Sequence, residues 1–239
     1  MDKIEILKKW IDESENIVFL TGAGISTDSG IPDFRGKDGI YTKNSSYEDV
    51  FDISRFIKDP MHYYTFYFSN LGNDYQPNIS HKKIAELESK GKNITVVTQN
   101  IDGLHQKAGS KKVFELHGNA KKAFCMRCNK GFVISEIDKL KGKNIVPKCD
   151  CGGVIKPDVV FFGESLDEEK IENSIISIMS ADMLIVVGSS LTVYPAAGLI
   201  NYYNKNKHKL VIINRDSTSY DDDADLVIND EISKVFKNI

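Results

Sequence analysis

Short apolar runs that each end in glycine or polar residues constrain the fold of this chain more than any other feature. The four clearest runs are residues 17–20, 94–98, 183–187 and 210–213, with a weaker run at 226–228. Nearly unbroken apolar runs of this length are typical of strands that are buried on both faces of a sheet. Between them, apolar residues recur at helical spacing over residues 4–16, 81–90, 167–180 and 196–205. Strands that alternate with helices predict an α/β fold with a doubly wound parallel sheet, which binds ligands at the carboxyl ends of its strands.

Two stretches interrupt this alternation. Residues 36–75 are rich in Tyr, Phe, Asp and Lys and predict a loop followed by short helices, whereas residues 122–155 contain all four cysteines. We therefore expect one unit over residues 1–239, with a large domain built from residues 1–35, 76–121 and 156–239. Residues 36–75 form a helical insertion and residues 122–155 a smaller module in this interpretation.

Composition excludes several classes of protein. The chain has 239 residues, a formal net charge of −3 and 41% hydrophobic residues, with Lys and Arg dispersed among acids. This pattern argues against a nucleic-acid-binding protein, because such proteins concentrate positive charge. The sequence has no apolar run long enough to span a bilayer and no signal peptide at its polar N-terminus. We expect a monomeric, cytoplasmic protein whose cysteines stay reduced.

The four cysteines form two close pairs. Cys125 and Cys128 are separated from Cys149 and Cys151 by residues 129–148, and the chain contains no other cysteine. This spacing is typical of a zinc ribbon, although the second pair is C-x-C where C-x-x-C is more usual. Four thiolates complete a tetrahedron with no open position, so we expect a structural zinc site. Four unrelated cysteines are the alternative, and their clustering argues against it.

A glycine turn follows the first predicted strand. Gly22, Ala23 and Gly24 lead into Thr27, and glycines at such a turn let the backbone approach a pyrophosphate. A complete dinucleotide fingerprint would place Gly or Ala where Thr27 stands, so this motif alone is also compatible with a plain turn. The Gly-Lys-Ser/Thr of a P-loop is absent, which argues against phosphoryl transfer from ATP.

The continuation of this turn resembles the sirtuin signature over residues 22–35. Further motifs of that family follow in the same order, at residues 98–102, 116–118, 156–164, 188–191 with 194–196, and 213–214. The cysteines lie between the His-Gly and Lys-Pro-Asp motifs, where sirtuins carry a zinc module. The resemblance covers roughly residues 15–230 and implies a Rossmann-like large domain with a zinc-ribbon module, in a minimal core of the bacterial type.

The resemblance implies NAD-dependent removal of acyl groups, acetyl above all, from lysine side chains of other proteins. Sirtuins pass the acyl group to ADP-ribose and release nicotinamide, so NAD is a co-substrate. His117 is the implied base, because histidine titrates near neutrality, and Asn100 is the second implied catalytic residue. By the same resemblance, Asp102 accepts the nicotinamide carboxamide, and Phe34 lies over the nicotinamide pocket. The full set implied to bind NAD is Gly22, Ala23, Gly24, Thr27, Phe34, Arg35, Gln99, Asn100, Ile101, Asp102, His117, Gly188, Ser189, Ser190 and Asn214.

The acyl-lysine partner is expected along one apolar segment. Val159, Val160, Phe161, Phe162 and Gly163 are implied to pair with the substrate backbone as an added strand, although a core strand would look the same. Sirtuins that prefer succinyl or malonyl lysine carry a Tyr followed three residues later by Arg. Here Tyr63 is followed at that spacing by Phe66, so we expect acetyl or a longer hydrocarbon acyl group.

Three other functions compete with deacetylation. A mono-ADP-ribosyltransferase would use the same NAD chemistry, but the family's transferases often depart from the pattern at His-Gly or Gln-Asn-Ile-Asp, and both motifs are intact here. A dehydrogenase is disfavoured by the incomplete dinucleotide fingerprint. A non-catalytic binding module is disfavoured by the polar motifs after the strand ends.

Overall fold

A computed structural model of the protein describes residues 2–34, 36, 39–71, 74–137, 145–204 and 208–239. Its strands are β1 (Asn16–Thr21), β2 (Asn93–Thr98), β3 (Val113–Glu115), β4 (Gly118–Cys125), β5 (Gly131–Val133), β6 (Ile155–Val159), β7 (Met183–Val187), β8 (Lys209–Ile213) and β9 (Leu226–Ile228). Six of them form a parallel sheet in the order β3-β2-β1-β7-β8-β9, and the others form an antiparallel sheet in the order β5-β4-β6.

The α-helices lie mainly around the larger sheet and in the insertion. They are α1 (Lys3–Glu13), α2 (Ile40–Lys43), α3 (Ile53–Lys58), α4 (Pro60–Asn70), α5 (Ile79–Ser89), α6 (Leu104–Ala108), α7 (Ile134–Ile137), α8 (Glu168–Met179) and α9 (Ile232–Lys237). Short 3₁₀ helices cover Ala23–Ser29, Ser45–Tyr47, Ala196–Tyr202 and Asp221–Asp223. Within the described ranges, no helix combines the length and hydropathy required to cross a membrane.

Alternate residues of the parallel strands supply two separate cores. Phe19 of β1 and Ile185 of β7 pack with α1, α5 and α9 on one face. Leu20 and Val186, their sequence neighbours, pack with α8 and the Ala196–Tyr202 segment on the other. Side chains of a strand point alternately to the two faces, so a strand that is covered on both faces is apolar at nearly every position. The unbroken apolar runs of the sequence have this physical cause.

The strand register brings the predicted ligand-binding turns together. Thr21, the last residue of β1, lies opposite Thr98 of β2 on one side and Val187 of β7 on the other. The loops that follow β1, β2 and β7 therefore begin at the same edge of the sheet. The strand order reverses direction between β1 and β7, and a crevice at such a switch point is where open α/β sheets bind ligands.

A third core joins the helical insertion to the antiparallel sheet. Its rings come from α3, α4 and the loops beside them, and the centroids of Phe51 and Phe161 are 5.6 Å apart at an interplanar angle of 89°. Edge-to-face pairs of this kind are the favoured geometry for aromatic rings. Tyr64 adds a buried hydrogen bond of 2.6 Å from its hydroxyl to the carbonyl of Ile155 in β6. The insertion and the smaller sheet thus share one aromatic core.

The structure confirms the predicted fold class and each predicted strand of the large sheet. It differs in three details. β3 has no counterpart among the predictions, because three half-buried residues at a sheet edge carry no clear apolar run. The helix expected over 196–205 is a 3₁₀ helix over Ala196–Tyr202, and residues 205–207 lie outside the described ranges. The antiparallel sheet extends from Gly118 to Val159, beyond the expected bounds of 122–155.

Candidate active site

A cavity of about 1210 Å³ lies along the carboxyl edge of the parallel sheet and continues between the two sheets. It is lined by almost all of the predicted site residues: Gly22, Ala23, Gly24, Phe34, Gln99, Asn100, Ile101, Asp102, His117, Val159, Val160, Phe161, Phe162, Gly163, Gly188, Ser189, Ser190 and Asn214. Drug-sized ligands occupy pockets of roughly 300–1,000 Å³. The cavity therefore has room for a dinucleotide together with a long side chain.

Two glycine turns pack directly against each other at the floor of this cavity. Gly24 donates its N–H to the carbonyl of Gly188 at 2.8 Å. Gly188 has a φ of 62°, and a Cβ there would overlap the backbone nitrogen of Ile25. A Cβ on Gly22 would lie 2.8 Å from the Gly188 carbonyl oxygen. Only glycine permits the turns after β1 and β7 to approach this closely. The Gly22–Gly24 turn therefore holds the ends of these two strands together.

The strand end of β2 supplies a row of polar side chains. Asn100 is buried and donates its side-chain N–H₂ to the Gly22 carbonyl at 3.1 Å and to the Ser26 hydroxyl at 3.2 Å. Asp102 accepts from the Ser26 hydroxyl at 2.7 Å and from the Leu104 N–H at 2.8 Å. These bonds hold the amide and the carboxylate rigidly at the cavity wall, with lone pairs left on the carboxylate.

His117 has one ring nitrogen engaged and one free. Its Nδ1 lies 2.9 Å from the carbonyl oxygen of Gln99, and a carbonyl can only accept, so Nδ1 carries the hydrogen. Nε2 is then the basic nitrogen of the neutral ring and has no hydrogen-bond partner among the described residues. Burial lowers the pKa of His117, against the opposing effect of the Gln99 hydrogen bond. The ring is therefore neutral at pH 7 and ready to accept a proton at Nε2.

The backbone conformation of Gly118 positions His117 at the cavity. It has a φ of 78°, and a Cβ there would overlap the carbonyl oxygen of Asp158. The Gly118–Asp158 approach lets β4 start immediately after His117 and pair with β6. The His-Gly order of the motif thus follows from backbone geometry.

A buried network behind the polar row was missed by the sequence analysis. Ser26 bridges Asn100 and Asp102, and its hydroxyl oxygen is 3.5 Å from Nε2 of His81. The His81 and His105 rings lie 4.8 Å apart, edge to face, and both are buried. Burial lowers the pKa of His81 to about 4 and that of His105 well below its usual value, so both are neutral. Ser26 lies within the glycine-turn motif, but no feature of the sequence singled it out from its neighbours.

Of the predicted cofactor residues that the structure describes, Thr27 alone is not part of the cavity wall. Thr27 is not among the lining residues, because its hydroxyl turns back to donate to the Gly24 carbonyl at 3.0 Å. Arg35 lies outside the described residues. Phe34 does line the cavity, and its ring centroid is 5.3 Å from that of Tyr41 and 5.8 Å from that of Phe51. Phe34 therefore joins the aromatic core of the insertion to the cavity.

The far end of the cavity is polar. Ser189 accepts from the Gln99 side chain at 3.2 Å and from the Leu191 N–H at 3.2 Å, which ties the ends of β2 and β7 together. The Ser190 hydroxyl is exposed and lies 2.8 Å from that of Thr192. Asn214 follows β8 and donates to the Asp216 carbonyl at 2.8 Å. Hydroxyl and amide groups on a rigid edge suit the ribose oxygens of a nucleotide.

The predicted substrate segment borders the same cavity from the side of the smaller sheet. Val160 donates its N–H to the carbonyl of His117 at 2.9 Å, so the segment is joined directly to the implied base. Phe162 is half-exposed, and its N–H and carbonyl bond to Phe51 and Ile53. Phe161 is buried in the aromatic core. The segment therefore presents an edge to the cavity while its other side is fixed to the insertion.

The four cysteines converge at the end of the smaller sheet. All four sulfur atoms lie within 4.8 Å of one another, with 3.5 Å between Cys125 and Cys151 and 3.7 Å between Cys128 and Cys149. Sulfurs at the corners of a tetrahedron around zinc, with Zn–S bonds near 2.3 Å, are roughly 3.8 Å apart. The C-x-x-C and C-x-C pairs together therefore fit a single zinc ion. Four thiolates leave no coordination position for water, so the metal is structural.

Comparisons with known proteins agree with this geometry. The model of the Sir2 family matches residues 22–195. An NAD-dependent protein deacetylase of Clostridium acetobutylicum is 49% identical over 245 aligned positions, which cover 100% of this chain and 98% of that protein.

Solved structures extend the similarity to three dimensions. A Sir2 structure with a deacetylated p53 peptide and 3'-O-acetyl ADP ribose superposes with a TM-score of 0.92 at 43% identity, covering 99% of this chain and 97% of the other. A Sir2 structure with a p53 peptide and NAD⁺ has a TM-score of 0.89 at 43% identity, covering 99% and 96%. Fold, site and sequence coincide over nearly the whole length, and the chain belongs to the Sir2 family.

Proposed function

We propose that this protein is an NAD-dependent protein-lysine deacetylase and that His117 is its base. The observation that carries the proposal is the hydrogen bond from Nδ1 of His117 to the Gln99 carbonyl at 2.9 Å. It fixes the tautomer whose Nε2 accepts a proton, on a residue that lines the cavity between the glycine turns and the substrate segment. The similarity to named deacetylases supports the same reaction.

NAD, when bound, supplies the ADP-ribose that receives the acyl group as nicotinamide leaves. The residues of this chain orient the reactants and move one proton. Nε2 of His117 takes the proton of a ribose hydroxyl as that hydroxyl becomes a nucleophile. Asn100, held by Gly22 and Ser26, orients the ribose side of the site. The low pKa that burial gives His117 keeps Nε2 unprotonated at neutral pH.

The nicotinamide half lies against Asp102, Ile101 and Phe34 in this proposal. The Asp102 carboxylate accepts the carboxamide N–H, and its own orientation is fixed by Ser26. Phe34 covers the pocket from the insertion and hinders the return of nicotinamide. Arg35 is proposed to bind phosphate, as the family motif implies.

The adenosine and pyrophosphate half lies over the glycine turns. Gly22, Ala23, Gly24 and Gly188 line this part of the cavity, where the glycines bring the β1 and β7 turns into contact. Ser189, Ser190 and Asn214 donate to the ribose of the adenosine half. Gln99 links this half to the nicotinamide half through its bond to Ser189.

An acyl-lysine of another protein enters from the side of Val159–Gly163 and adds its backbone to that segment as a strand. Where α4 ends at the cavity, it presents Tyr67, followed by Leu71. Acetyl and longer hydrocarbon acyl groups suit this apolar wall, whereas α4 contains no Lys or Arg that could pair with a succinyl carboxylate. A deacylase for longer chains is therefore the second candidate function.

The remaining expectations concern organisation and location. We propose that the insertion of residues 36–75 and the zinc module act with the large domain as one catalytic unit. The two modules share an aromatic core, so zinc acts by holding the wall of the substrate segment in place. Cysteines free to bind zinc fit a compartment that keeps thiols reduced, which supports a cytoplasmic location.

Product analysis by mass spectrometry tests the proposed function. Zinc-loaded protein incubated with NAD and an acetyl-lysine peptide is expected to form deacetylated peptide, nicotinamide and O-acetyl-ADP-ribose in equal amounts. The matched control is a succinyl-lysine peptide of the same sequence, which is expected to react more slowly. ADP-ribose retained on protein would instead indicate a mono-ADP-ribosyltransferase, and NADH absorbance a dehydrogenase.

A further inference from the structure

Lys156 is a buried charge that the proposed reaction does not use. Within the described ranges it is the one Lys, Arg, Asp or Glu residue that is buried, with 3% of its side chain exposed. It does not line the cavity. Removing a charge from water is unfavourable by several kcal/mol, and apolar residues often replace buried ion pairs without loss of stability. A buried lysine beside the substrate segment therefore calls for a role other than stability.

All hydrogen bonds of the Lys156 ammonium go to residues 157–164. Nζ donates to the Val159 carbonyl at 2.7 Å and, at a longer 3.4 Å, to the Pro157 carbonyl. It forms an ion pair of 2.9 Å with Oε2 of Glu164 and lies 4.3 Å from the centroid of the Phe161 ring. One side chain thus contacts the start, the middle and the end of the segment.

Glu164 stabilises the turn at the C-terminal end of the segment. The same Oε2 accepts the Phe161 N–H at 2.8 Å, while the Glu164 N–H donates to the Phe161 carbonyl at 3.0 Å. Gly163, between them, has a φ of 91°, as a tight turn requires. Charge-assisted bonds to backbone groups are stronger than neutral ones, so this turn is held firmly.

The remaining backbone bonds of the segment decide which groups stay free. Val160 is committed to His117 through its N–H, and Phe162 to the insertion through both of its backbone groups. Among the described residues, the Val160 carbonyl and the Gly163 N–H have no backbone partner. A substrate strand needs free groups of this kind at an edge. Lys156 and Glu164 fix the conformation of the segment and therefore the distance between the Val160 carbonyl and the Gly163 N–H.

We propose that Lys156 and Glu164 are positioning residues that hold the Val159–Gly163 segment in the conformation that binds the substrate peptide. The proposal rests on the proposed function, because it takes that segment as the peptide-binding edge. The pair acts on the peptide and leaves the NAD-binding turns, which belong to other strands, unaffected. Its effect therefore falls on peptide affinity and much less on NAD affinity.

Steady-state kinetics of Lys156→Met test this proposal, with zinc content and thermal melting measured alongside. Met is unbranched and one atom shorter than Lys, and the carboxylate of Glu164 is partly exposed, so no unpaired charge becomes fully buried. We expect the KM for the acetyl-lysine peptide to rise at least tenfold, with the KM for NAD within twofold of wild type. Lys156→Arg restores a cation and is expected to recover most of the peptide affinity. Lys234→Met, which removes the exposed 2.8 Å ion pair with Asp230, is the matched control and leaves both constants unchanged.

Glu164→Gln is the second variant if Lys156→Met does not fold, because the amide keeps an acceptor for Phe161 and loses only the charge. It is expected to raise the peptide KM at least threefold. A folded Lys156→Met with an unchanged peptide KM overturns the proposal, as does an equal rise in both KM values or an unchanged peptide KM in Glu164→Gln. A wild-type protein that does not turn over the peptide at all refutes the proposed function instead, so the two failures are distinct.

Discussion

Replacing His117 by Asn separates its proposed chemical role from its structural role. Nδ1 of the imidazole donates to the Gln99 carbonyl, and the Asn side-chain N–H₂ can make the same bond. The variant keeps that contact and loses Nε2, the one ring nitrogen free to accept a proton. Protein fold and NAD binding are therefore expected to survive, while proton transfer does not.

The expected loss of rate follows from the role of a general base. Such groups contribute about 10²–10⁴-fold, which corresponds to about 3–5 kcal/mol of transition-state stabilisation. We expect kcat/KM for deacetylation to fall by this factor in His117→Asn, with the dissociation constant of NAD changed less than threefold. His117→Ala is the companion variant, which loses both the base and the bond to Gln99, and it should bind NAD no better than His117→Asn.

The pH profile provides an independent measurement. Burial lowers the pKa of His117 below 6.5, so more than half of the wild-type rings are deprotonated at pH 6.5. The rate then falls tenfold per pH unit at greater acidity, and this acidic limb disappears in His117→Asn. A variant that keeps more than a tenth of the wild-type kcat/KM, or an acidic limb that persists without the histidine, would refute the assignment of the base.

Two further predictions concern buried groups near the site. Tyr63 and Tyr64 are both buried, but the Tyr63 hydroxyl has no hydrogen-bond partner among the residues that the structure describes, so Tyr63→Phe should raise the free energy of unfolding by about 1 kcal/mol. Tyr64→Phe should lower it by about 1–2 kcal/mol, because the Ile155 carbonyl loses its donor; equal signs in urea melts would contradict this. His81 has a folded pKa of about 4 against an unfolded value near 6.5, so the unfolded state binds more protons between these values. Stability should therefore decrease by about 3 kcal/mol as the pH falls from 6.5 to 4, and a His81→Gln variant with an equally steep loss would show another cause.

Local pattern was sufficient for the elements of the large sheet. The runs at 17–20 and 183–187 predicted β1 and β7, because a strand buried on both faces is apolar at nearly every position. The spacing of the cysteines predicted the metal cluster, because the two sulfur ligands on one tight turn are only a few residues apart in sequence. The resemblance then implied the cofactor residues, and the structure brings all the described ones except Thr27 to one cavity.

Contacts between distant segments were decided only by the tertiary structure. Ser26 meets Asp102 across 76 positions of the chain and His81 across 55. No periodicity relates such residues, because their meeting depends on strand order and register. The ion pair of Lys156 and Glu164 is close in sequence, but its burial comes from Phe124 of β4 and Phe161 of the aromatic core. The sequence by itself thus determined which elements form and which chemistry the chain carries. Packing determined which polar groups are left free to perform it, because burial and hydrogen-bond pairing are properties of the assembled fold.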